Sequence, residues 1–467
     1  MSLPHPPRRL PLFGDLFGLN IRTPMESLVD IASRTGPLFE TTTIGATYVI
    51  AAGADAVAEL NDEHRFAKHL GPELIGLRPA VGNGLFTADN DDPAWAEAHQ
   101  LLAPAFSQKA MRRHHGVMTE VVGELLDHWD RQAGKPVDVT ADMTRTALET
   151  IGRATAGHGF GGFGGHRGGQ TDPFIRHMVG ALRGSYYESF IRRSWLPTWT
   201  ADLAERRVRH HGDRMARIVD DIVASRRRTD DWPDDLLSLM LTPGADGTPS
   251  LDEDNIRYQM ITFLIAGHET TSGAMSFALH HLSTRPGLIE AAREEIDRVW
   301  GDDATPDFEQ IAKLRLVRRI VDETLRLHPT VPGYFRVARA DTTIAGGHTV
   351  RAGDWFLVLV GGPHRDPAWG DDPDVLDPDR FLPERVRARP AHLYKPFGTG
   401  LRSCIGRQFA IHEAVLVLAS ILRRHDLAPV PGYRLRTTER LTSMPQDLRL
   451  TPRRRAPALV LSAQSTK

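Results

Sequence analysis

The sequence FGTGLRSCIGRQFA, residues 397–410, contains Cys404, the only cysteine in the 467-residue chain. A single cysteine cannot form a disulfide within the chain, and a free cysteine is most often an inert buried side chain. Gly398 and Gly400 predict a turn, because glycine tolerates backbone conformations with positive φ. The run IGRQFAIHEAVLVLASILRRH, which begins at Ile405, has the pattern of a largely buried helix. We therefore expect Cys404 at the N-terminus of a buried helix.

A helix N-terminus favours the thiolate form of Cys404, because unpaired N–H groups and the helix dipole lower the pKa of a thiol. A thiolate is a metal ligand, but the chain has no second cysteine for a zinc or iron–sulfur site. One protein thiolate on an iron whose other ligands come from a macrocycle is the arrangement of haem-thiolate enzymes. These residues alone leave two interpretations open, a haem ligand and an inert side chain.

The residues around Cys404 match a known signature. Phe397, Gly400, Arg402, Cys404 and Gly406 fit the pattern FxxGxRxCxG, by which the chain resembles the cytochrome P-450 family. The resemblance implies that Cys404 is the axial ligand of haem b and that Arg402 pairs with a haem propionate. It implies that Phe397 shields the sulfur and that Gly406 lets the helix approach the porphyrin. The implied fold is mainly α with a smaller β-rich region, and the haem lies between a long distal helix and the Cys-bearing proximal helix.

A second motif lies in the stretch ITFLIAGHETTSGAMSFAL, where polar residues interrupt the apolar run of a helix predicted over residues 255–283. The hydroxyl of Thr270 can bond the carbonyl of Ala266 and open the helix locally, which leaves room for dioxygen and water. The alternative is that these residues only bend the helix and that Glu269 faces solvent. They match the AGx(D/E)TT motif of the same family. That resemblance implies proton delivery by Glu269 and Thr270, with Ala266 and Gly267 over the haem face.

Glu323 and Arg326 are three residues apart, so they share one face of a predicted helix. On a surface, such an ion pair would contribute only ~0–1 kcal/mol. The family resemblance implies that the pair is buried and is joined by Arg380 of the sequence PDRF, residues 378–381. We assign these three residues a role in folding and not in catalysis.

Further segments resemble the haem domains of self-sufficient bacterial fatty-acid hydroxylases, among them RFAK (65–68), GLFT (84–87) and WAEAHQLLAPAFSQKAM (95–111). The resemblance assigns one set of residues to the haem propionates and another to the substrate pocket above the iron. The first set is Lys68, Trp95, His99 and Arg402, and the second is Phe86, Ala266, Val331, Pro332 and Gly333. Phe86 could instead be an ordinary core aromatic.

Two departures from those relatives matter. They anchor a fatty carboxylate with an arginine and a tyrosine, and the matching positions here are Ala46 and Ile50. Neither side chain can bind a carboxylate, so the sequence argues against a free fatty acid as substrate. The chain continues from Cys404 only to residue 467, which is too short for a flavin domain. We therefore expect electrons from NAD(P)H through a separate reductase and a ferredoxin or flavodoxin.

Composition restricts the remaining classes. Motifs from Lys68 to Cys404 must converge on one haem, so we predict one domain over residues 1–467. A formal net charge of -2 gives no reason to expect nucleic acid. The N-terminal MSLPHPPRRLPLFGDLFGLN lacks the apolar run of a signal peptide, and the chain has no stretch of ~20 apolar residues that could span a membrane. The expected location is the cytoplasm.

The function that these features predict is a monooxygenase that inserts one oxygen atom from dioxygen into an apolar small molecule. One alternative is a peroxide-using or oxygen-independent haem-thiolate enzyme, although such relatives usually lose the acid–alcohol pair that Glu269 and Thr270 retain. The other is a haem-binding sensor or carrier, which needs no proton delivery.

Local patterns add predictions of secondary structure. Alternating β-branched and aromatic residues predict hairpins within residues 37–53 and 341–360. Residues 95–111 have a helical pattern. Residues 157–169, GHGFGGFGGHRGG, contain a literal GxGxxG, but this run follows a helical stretch and is mostly glycine. A surface loop is therefore the preferred interpretation over a dinucleotide site, which requires a strand before and a helix after the glycines.

Overall fold

The computed structural model describes residues 3–7, 9–132, 134–163, 172–229, 232–244, 250–303 and 305–455. The fold is mainly helical with a smaller β-rich region, as predicted. The helices are α1 (Pro24–Thr35), α2 (Ala54–Leu60), α3 (Pro72–Val81), α4 (Pro93–Leu102), α5 (Gln108–Arg131), α6 (Val139–Ala156), α7 (Pro173–Arg193), α8 (Thr198–Arg227), α9 (Leu236–Leu241), α10 (Glu253–Ser283), α11 (Pro286–Trp300), α12 (Phe308–Lys313), α13 (Arg315–Leu327), α14 (Pro383–Ala388) and α15 (Arg407–Arg424). The strands are β1 (Leu38–Thr43), β2 (Ala46–Ala51), β3 (Phe66–His69), β4 (Val137–Asp138), β5 (Gly333–Ala338), β6 (Thr342–Ile344), β7 (His348–Val350), β8 (Trp355–Leu359), β9 (His425–Pro429), β10 (Thr437–Glu439), β11 (Ser443–Pro445) and β12 (Arg449–Arg454).

The long helix α10 is the predicted distal helix and packs against α6, α8, α13 and α15. It begins two residues before the predicted start, because the side chain of Asp252 caps it by accepting from the Asn255 N–H at 2.7 Å. Glu253 and Asp254 lie in its first turn, where carboxylates are stabilised by the helix dipole. These acidic residues are therefore the start of the helix.

The largest sheet has five strands in the order β1-β2-β8-β5-β3. The predicted hairpin in residues 37–53 is confirmed as β1 and β2, joined by Ile44 (φ 48°) and Gly45 (φ 87°). Two central residues with positive φ are typical of the tight turns that match the twist of a hairpin. The second predicted hairpin is confirmed for β6 and β7, whereas β8 leaves it and joins the large sheet between β2 and β5.

The helix predicted over residues 95–111 is divided. α4 ends at Leu102, Pro104 lies in a 3₁₀ turn, and the side chain of Ser107 caps α5 by accepting from the Ala110 N–H. Proline cannot donate the backbone hydrogen bond that would continue a helix, and serine is a preferred N-cap. The apolar periodicity continues through this break, which is why it concealed the boundary.

The glycine-rich run begins where α6 ends. Gly157 has φ 59° and donates its N–H to the Arg153 carbonyl, so it closes the helix in the left-handed conformation. The run follows a helix and not a strand, which is the wrong context for a dinucleotide fingerprint. Residues 164–169 of the predicted loop lie outside the described residues.

Candidate functional site

The loop before α15 holds Cys404 in the predicted turn. The Cys404 N–H donates to the Phe397 carbonyl oxygen at 2.9 Å, and Gly398 and Gly400 have φ values of 69° and 68°. A side chain at Gly400 would also collide with the carboxyl of Glu63, which accepts from the Leu401 N–H. The positive φ favours glycine at position 400, whereas the carboxyl of Glu63 is the end of a flexible side chain that can move away.

Cys404 precedes the helix instead of lying in its first turn, because Gly406 is the N-cap and α15 begins at Arg407. The side chain is accessible to solvent but lies deep in the protein. This burial raises the pKa of the thiol, and the Gly406 N–H and the Arg407 guanidinium lower it by less. The predicted lowering of the pKa by the helix terminus is therefore wrong for the free protein, since desolvation outweighs it.

Two cations that the sequence placed at the haem propionates lie together. Lys68 Nζ donates to the Phe86 carbonyl oxygen at 2.6 Å, and Arg402 donates to the Ala88 carbonyl oxygen at 2.7 Å. Burial, followed by the charge of Arg402, lowers the pKa of Lys68 to about 7, and burial lowers the pKa of Arg402 to about 10. Within the described residues, neither side chain forms an ion pair with a carboxylate. The cluster therefore has positive charge that protein groups do not neutralise.

Two aromatic side chains extend this cluster. The guanidinium of Arg402 lies 4.4 Å from the ring centre of Trp95, and the Trp95 and His99 rings stack at 4.8 Å. A cation over an aromatic face is held in one orientation. All four residues that the sequence assigned to the propionates thus belong to one neighbourhood around Arg402 and the start of α4.

These residues fit an iron porphyrin. One accessible thiol can supply an axial sulfur ligand, and the cations Lys68 and Arg402 complement two propionates. A Cβ added at Gly406 would meet no described atom within 4 Å. Packing within the protein therefore does not explain this glycine, whereas close approach of a flat group would.

On α10, Ala266 is exposed and Thr270 is partly exposed, although most of the residues around them are buried. The two are one helical turn apart and share a face. The Thr270 hydroxyl donates to the Ala266 carbonyl oxygen at 2.8 Å, which is the hydrogen bond predicted from the sequence. Thr271 is only 3% exposed and belongs to a buried face of α10.

Glu269 is buried, so the alternative in which it faces solvent is wrong. Its side chain is 5% exposed, one oxygen lies 3.8 Å from the Arg440 guanidinium, and Oε2 has no hydrogen-bond partner among the described residues. Burial raises the pKa of Glu269 and the charge of Arg440 opposes this. The carboxyl therefore retains a proton at higher pH than an exposed glutamate does.

Gly267, next to the exposed Ala266, is partly exposed and also lies close to α6. A side chain there would meet Ile151 of α6, whose Cγ1 would lie 2.7 Å from the added Cβ. The glycine permits α6 and α10 to pack closely, and its assignment to the haem face stays a prediction.

The residues assigned to the substrate pocket come from three segments. Phe86 is partly buried and its backbone binds Lys68. Val331, Pro332 and Gly333 are partly buried, and Pro332 accepts from the Val360 N–H where β5 begins beside β8. Ala266 is the exposed position on α10 described above.

The predicted folding cluster is confirmed as buried. The Glu323 and Arg326 side chains are both 0% exposed and form two hydrogen bonds of 2.7 Å. Arg380 Nε lies 3.6 Å from Glu323, which also accepts from the Asp377 N–H at 2.9 Å. The carboxylate oxygens of Glu323 therefore accept hydrogen bonds from within the protein, as a structural role requires.

Sequence reasoning missed the aromatic and histidine partners of this cluster. Trp369 lies under the guanidinium groups of Arg326 (5.0 Å) and Arg389 (3.5 Å). The buried ring of His364 contacts the Arg326 carbonyl, and its Nε2 accepts from the Lys395 N–H at 3.2 Å. The signal that could have found them is the sequence HRDPAWG, whose tryptophan and histidine stand out in a charged loop.

Comparison with known proteins agrees with this geometry. Residues 4–452 match the family model described as Cytochrome P450. The chain is 39% identical to a bifunctional cytochrome P450/NADPH–P450 reductase of Bacillus cereus and 41% identical to a second such enzyme of Bacillus subtilis, over 97% and 93% of its length. It is 34% identical to a self-sufficient cytochrome P450 monooxygenase of Aspergillus niger over 95% of its length.

The chain spans only 42%, 41% and 41% of the length of these three relatives. Among the described helices, none is both long enough and apolar enough to cross a membrane. The family match covers nearly the whole chain and includes the cysteine loop, the distal helix and the buried Glu323 cluster. The chain belongs to the cytochrome P450 family.

Proposed function

We propose that this chain is a haem-thiolate monooxygenase that inserts one oxygen atom from dioxygen into an apolar small molecule, by hydroxylation or epoxidation. The observation that carries the proposal is the pair on α10: the Thr270 hydroxyl shares an accessible face with Ala266, and the next carboxyl, Glu269, is buried. Such a pair suits a reaction that consumes protons, whereas a sensor or carrier does not need one.

In this proposal Cys404 provides the axial thiolate and Phe397 shields it. Lys68 and Arg402 hold the propionates, because they lie together and neither forms an ion pair with a described carboxylate. Trp95 and His99 keep Arg402 in place. Haem b, when bound, supplies the activation of dioxygen by its iron.

Glu269 and Thr270 are proposed to deliver the protons. Burial raises the pKa of Glu269, so its carboxyl keeps a proton at higher pH than an exposed glutamate does. The Thr270 hydroxyl uses its hydrogen to bond the Ala266 carbonyl, which leaves its oxygen free to accept a hydrogen bond from a proton-bearing water. The two groups therefore have complementary roles: Glu269 is the proton donor, and the Thr270 oxygen accepts the hydrogen bond that orients the water.

The substrate is proposed to lie against Phe86, Ala266, Val331, Pro332 and Gly333. Apolar side chains and backbone dominate this set, which favours an apolar molecule. Electrons are proposed to come from NAD(P)H through a separate reductase and a ferredoxin or flavodoxin in the cytoplasm. Arg407 supports a docking face beside Cys404, because it is exposed and its guanidinium lies 5.5 Å from the Phe397 ring centre.

The decisive experiment combines a ligand variant with an oxygen assay. Cys404→Ser should give folded protein whose ferrous carbon monoxide complex lacks the thiolate-type absorption of the wild type. With a surrogate redox partner, the wild type should consume oxygen only when reductant and an apolar substrate are present. Retention of the thiolate spectrum in the variant would reject the ligand assignment. Product formation from peroxide alone would support the peroxide-using alternative, and haem binding without any turnover would support a sensor.

A further inference from the structure

A cavity lies behind α10, on the side of the helix away from the accessible face of Ala266. It has a volume of about 1070 Å³, and its described walls come from α6, α7, α10 and the β10–β11 hairpin. His268 and Glu269 lie in its wall and are buried. Gly159 and Arg183 also line it and are exposed, so the cavity extends from the surface to α10.

The geometry of α10 gives Glu269 access to both sides of the helix. Because successive residues are about 100° apart around the axis, Thr270 and His268 lie on either side of Glu269. Thr270 shares the accessible face with Ala266, so His268 lies on nearly the opposite face. The carboxyl of Glu269 can therefore exchange protons with the rear cavity as well as with the side of Thr270.

The hydrogen bond of His268 decides which of its nitrogens can bind water. Nδ1 lies 2.5 Å from the Leu264 carbonyl oxygen, which can only accept, so Nδ1 carries the ring hydrogen. Burial lowers the pKa of His268 to about 4, so the ring stays neutral and Nε2 is an acceptor. Nε2 is buried and has no donor among the described residues. A buried acceptor without a donor is costly, and a water in the cavity would satisfy it.

Glu269 presents a second unpaired atom on the same side. Its Oε2 is buried and has no hydrogen-bond partner among the described residues. Its Oε1 lies 3.8 Å from the guanidinium of Arg440, which also lines the cavity. When Glu269 gives up its proton, the carboxylate that forms faces this guanidinium, which stabilises it until a proton returns.

We propose that His268 is a positioning residue for the return of protons from solvent to Glu269. One water in the cavity donates one hydrogen to His268 Nε2, and its other hydrogen then faces Glu269 Oε2. For each proton that leaves Glu269 toward Thr270, this water transfers one proton to the carboxylate and receives one from the next water. A proton from bulk solvent is consumed and no other bond changes. The inference rests on the proposed function and deepens it, because it adds an entry side for protons and a residue outside the acid–alcohol pair.

Exchange of the Glu269 proton measures this route without turnover. The infrared carboxyl band of protonated Glu269 is identified in the haem-loaded protein by its loss in Glu269→Gln, and its shift after dilution into heavy water gives the exchange rate. His268→Phe keeps an aromatic ring but has no acceptor, and it should slow exchange about fivefold or more, which corresponds to ~1 kcal/mol of barrier. His268→Gln, which places an oxygen acceptor near the position of Nε2, should restore most of the rate. Ser276→Ala is the matched control, since it removes an unpaired buried hydroxyl of α10 away from the cavity, and it should exchange at the wild-type rate.

A second variant tests the cavity with His268 intact. Val179→Phe, in the α7 wall, should displace water and slow exchange in the same way, and it decides the question if His268→Phe does not fold. Exchange at the wild-type rate in His268→Phe would overturn the inference. So would a wild type without a carboxyl band that Glu269→Gln removes, because Glu269 would then hold no proton to replace.

Turnover separates this inference from the proposed function. With a surrogate redox partner, His268→Phe should lower product formed per NAD(P)H oxidised, while the thiolate-type spectrum of the carbon monoxide complex stays unchanged. A wild type that forms no product would reject the proposed function, but it would leave the exchange rates of the variants as they are.

Discussion

The cations around Glu323 and those around Arg402 differ in what neutralises them. Arg326 is 0% exposed and bonds Glu323 through two nitrogens, with Arg380 nearby. Lys68 and Arg402 are partly buried, and apart from a 3.5 Å contact between Arg402 and the Asn90 side chain their bonds go to backbone carbonyls. The first cluster is complete within the folded chain, whereas the second is complete only with an added anion.

This difference separates residues that stabilise the fold from residues that hold a ligand. Removing one member of the Glu323 cluster leaves a buried charge without its partner, so the free energy of unfolding should fall. Removing Lys68 or Arg402 relieves repulsion between the two cations in the haem-free protein and weakens only the binding of haem. The following predictions test this distinction, from the largest expected effect to the smallest.

Glu323→Ala should lower the free energy of unfolding by ~3–5 kcal/mol, because Arg326 and Arg380 lose their buried partner. Little haem-loaded soluble protein should be recovered. Asp374→Ala is the control, since Asp374 is 76% exposed and its pair with Arg365 is worth ~0–1 kcal/mol. Thermal unfolding and haem content measure both. A wild-type unfolding temperature and haem content for Glu323→Ala would contradict a stabilising role for the cluster.

Arg402→Leu should behave in the opposite way. We expect a folded protein that loses haem to apomyoglobin about tenfold or more faster, as for the loss of a charge-assisted hydrogen bond worth ~1.5–3 kcal/mol. Arg436→Leu, at a guanidinium that is 58% exposed and paired with Asp447, should lose haem at the wild-type rate. Equal haem loss in all three proteins would show that Arg402 holds no propionate.

The free energy of unfolding of the haem-free protein should depend on pH because of Lys68. The pKa of Lys68 is about 7 in the folded chain and ~10.4 in an unfolded one, so between these values the unfolded chain binds more protons. The free energy of unfolding should therefore rise with pH across this window, and this stability is lost as the pH falls to 7. Lys68→Met should flatten the rise, whereas the exposed Lys313→Met should not. Urea unfolding at pH 7, 8 and 9 measures this free energy. If it changed with pH equally in the wild type and in Lys68→Met, the lowered pKa would be contradicted.

The smallest of these effects is expected at Thr270. Thr270→Ala removes one hydrogen bond to Ala266, worth ~1 kcal/mol, but should lower product formed per NAD(P)H oxidised and release hydrogen peroxide. Thr271→Ala changes the buried side of the same helix and should keep the coupling of the wild type. Equal coupling in the wild type and Thr270→Ala would exclude Thr270 from proton delivery.

Features encoded within a few residues were predictable from the sequence. The turn before Cys404, the Thr270 hydrogen bond and the β1–β2 hairpin each depend on local chemistry, and each has the predicted form. The boundary at Pro104 was predictable in principle, because proline and the following Ser107 are the standard signals for ending and starting a helix.

Features that depend on packing between distant segments were not predictable. The motif containing Gly267 gave no sign that this residue faces Ile151, since the side a helix presents is decided by its neighbours. Burial of the Cys404 thiol reversed a pKa expectation based on the helix terminus alone.

The parallel pairing of β2 with β8 also has a consequence for how the chain folds. It makes neighbours of Ile50 and Leu357, and of Ala51 and Val358, which are about 300 residues apart in the sequence. Closing so large a loop costs entropy before any contact repays it, and such long-range pairing is slow. During synthesis the first hairpin must remain without its sheet partner until β8 has left the ribosome. Its exposed strand edge is then open to pairing with other chains, so this region should be the one that most needs a chaperone.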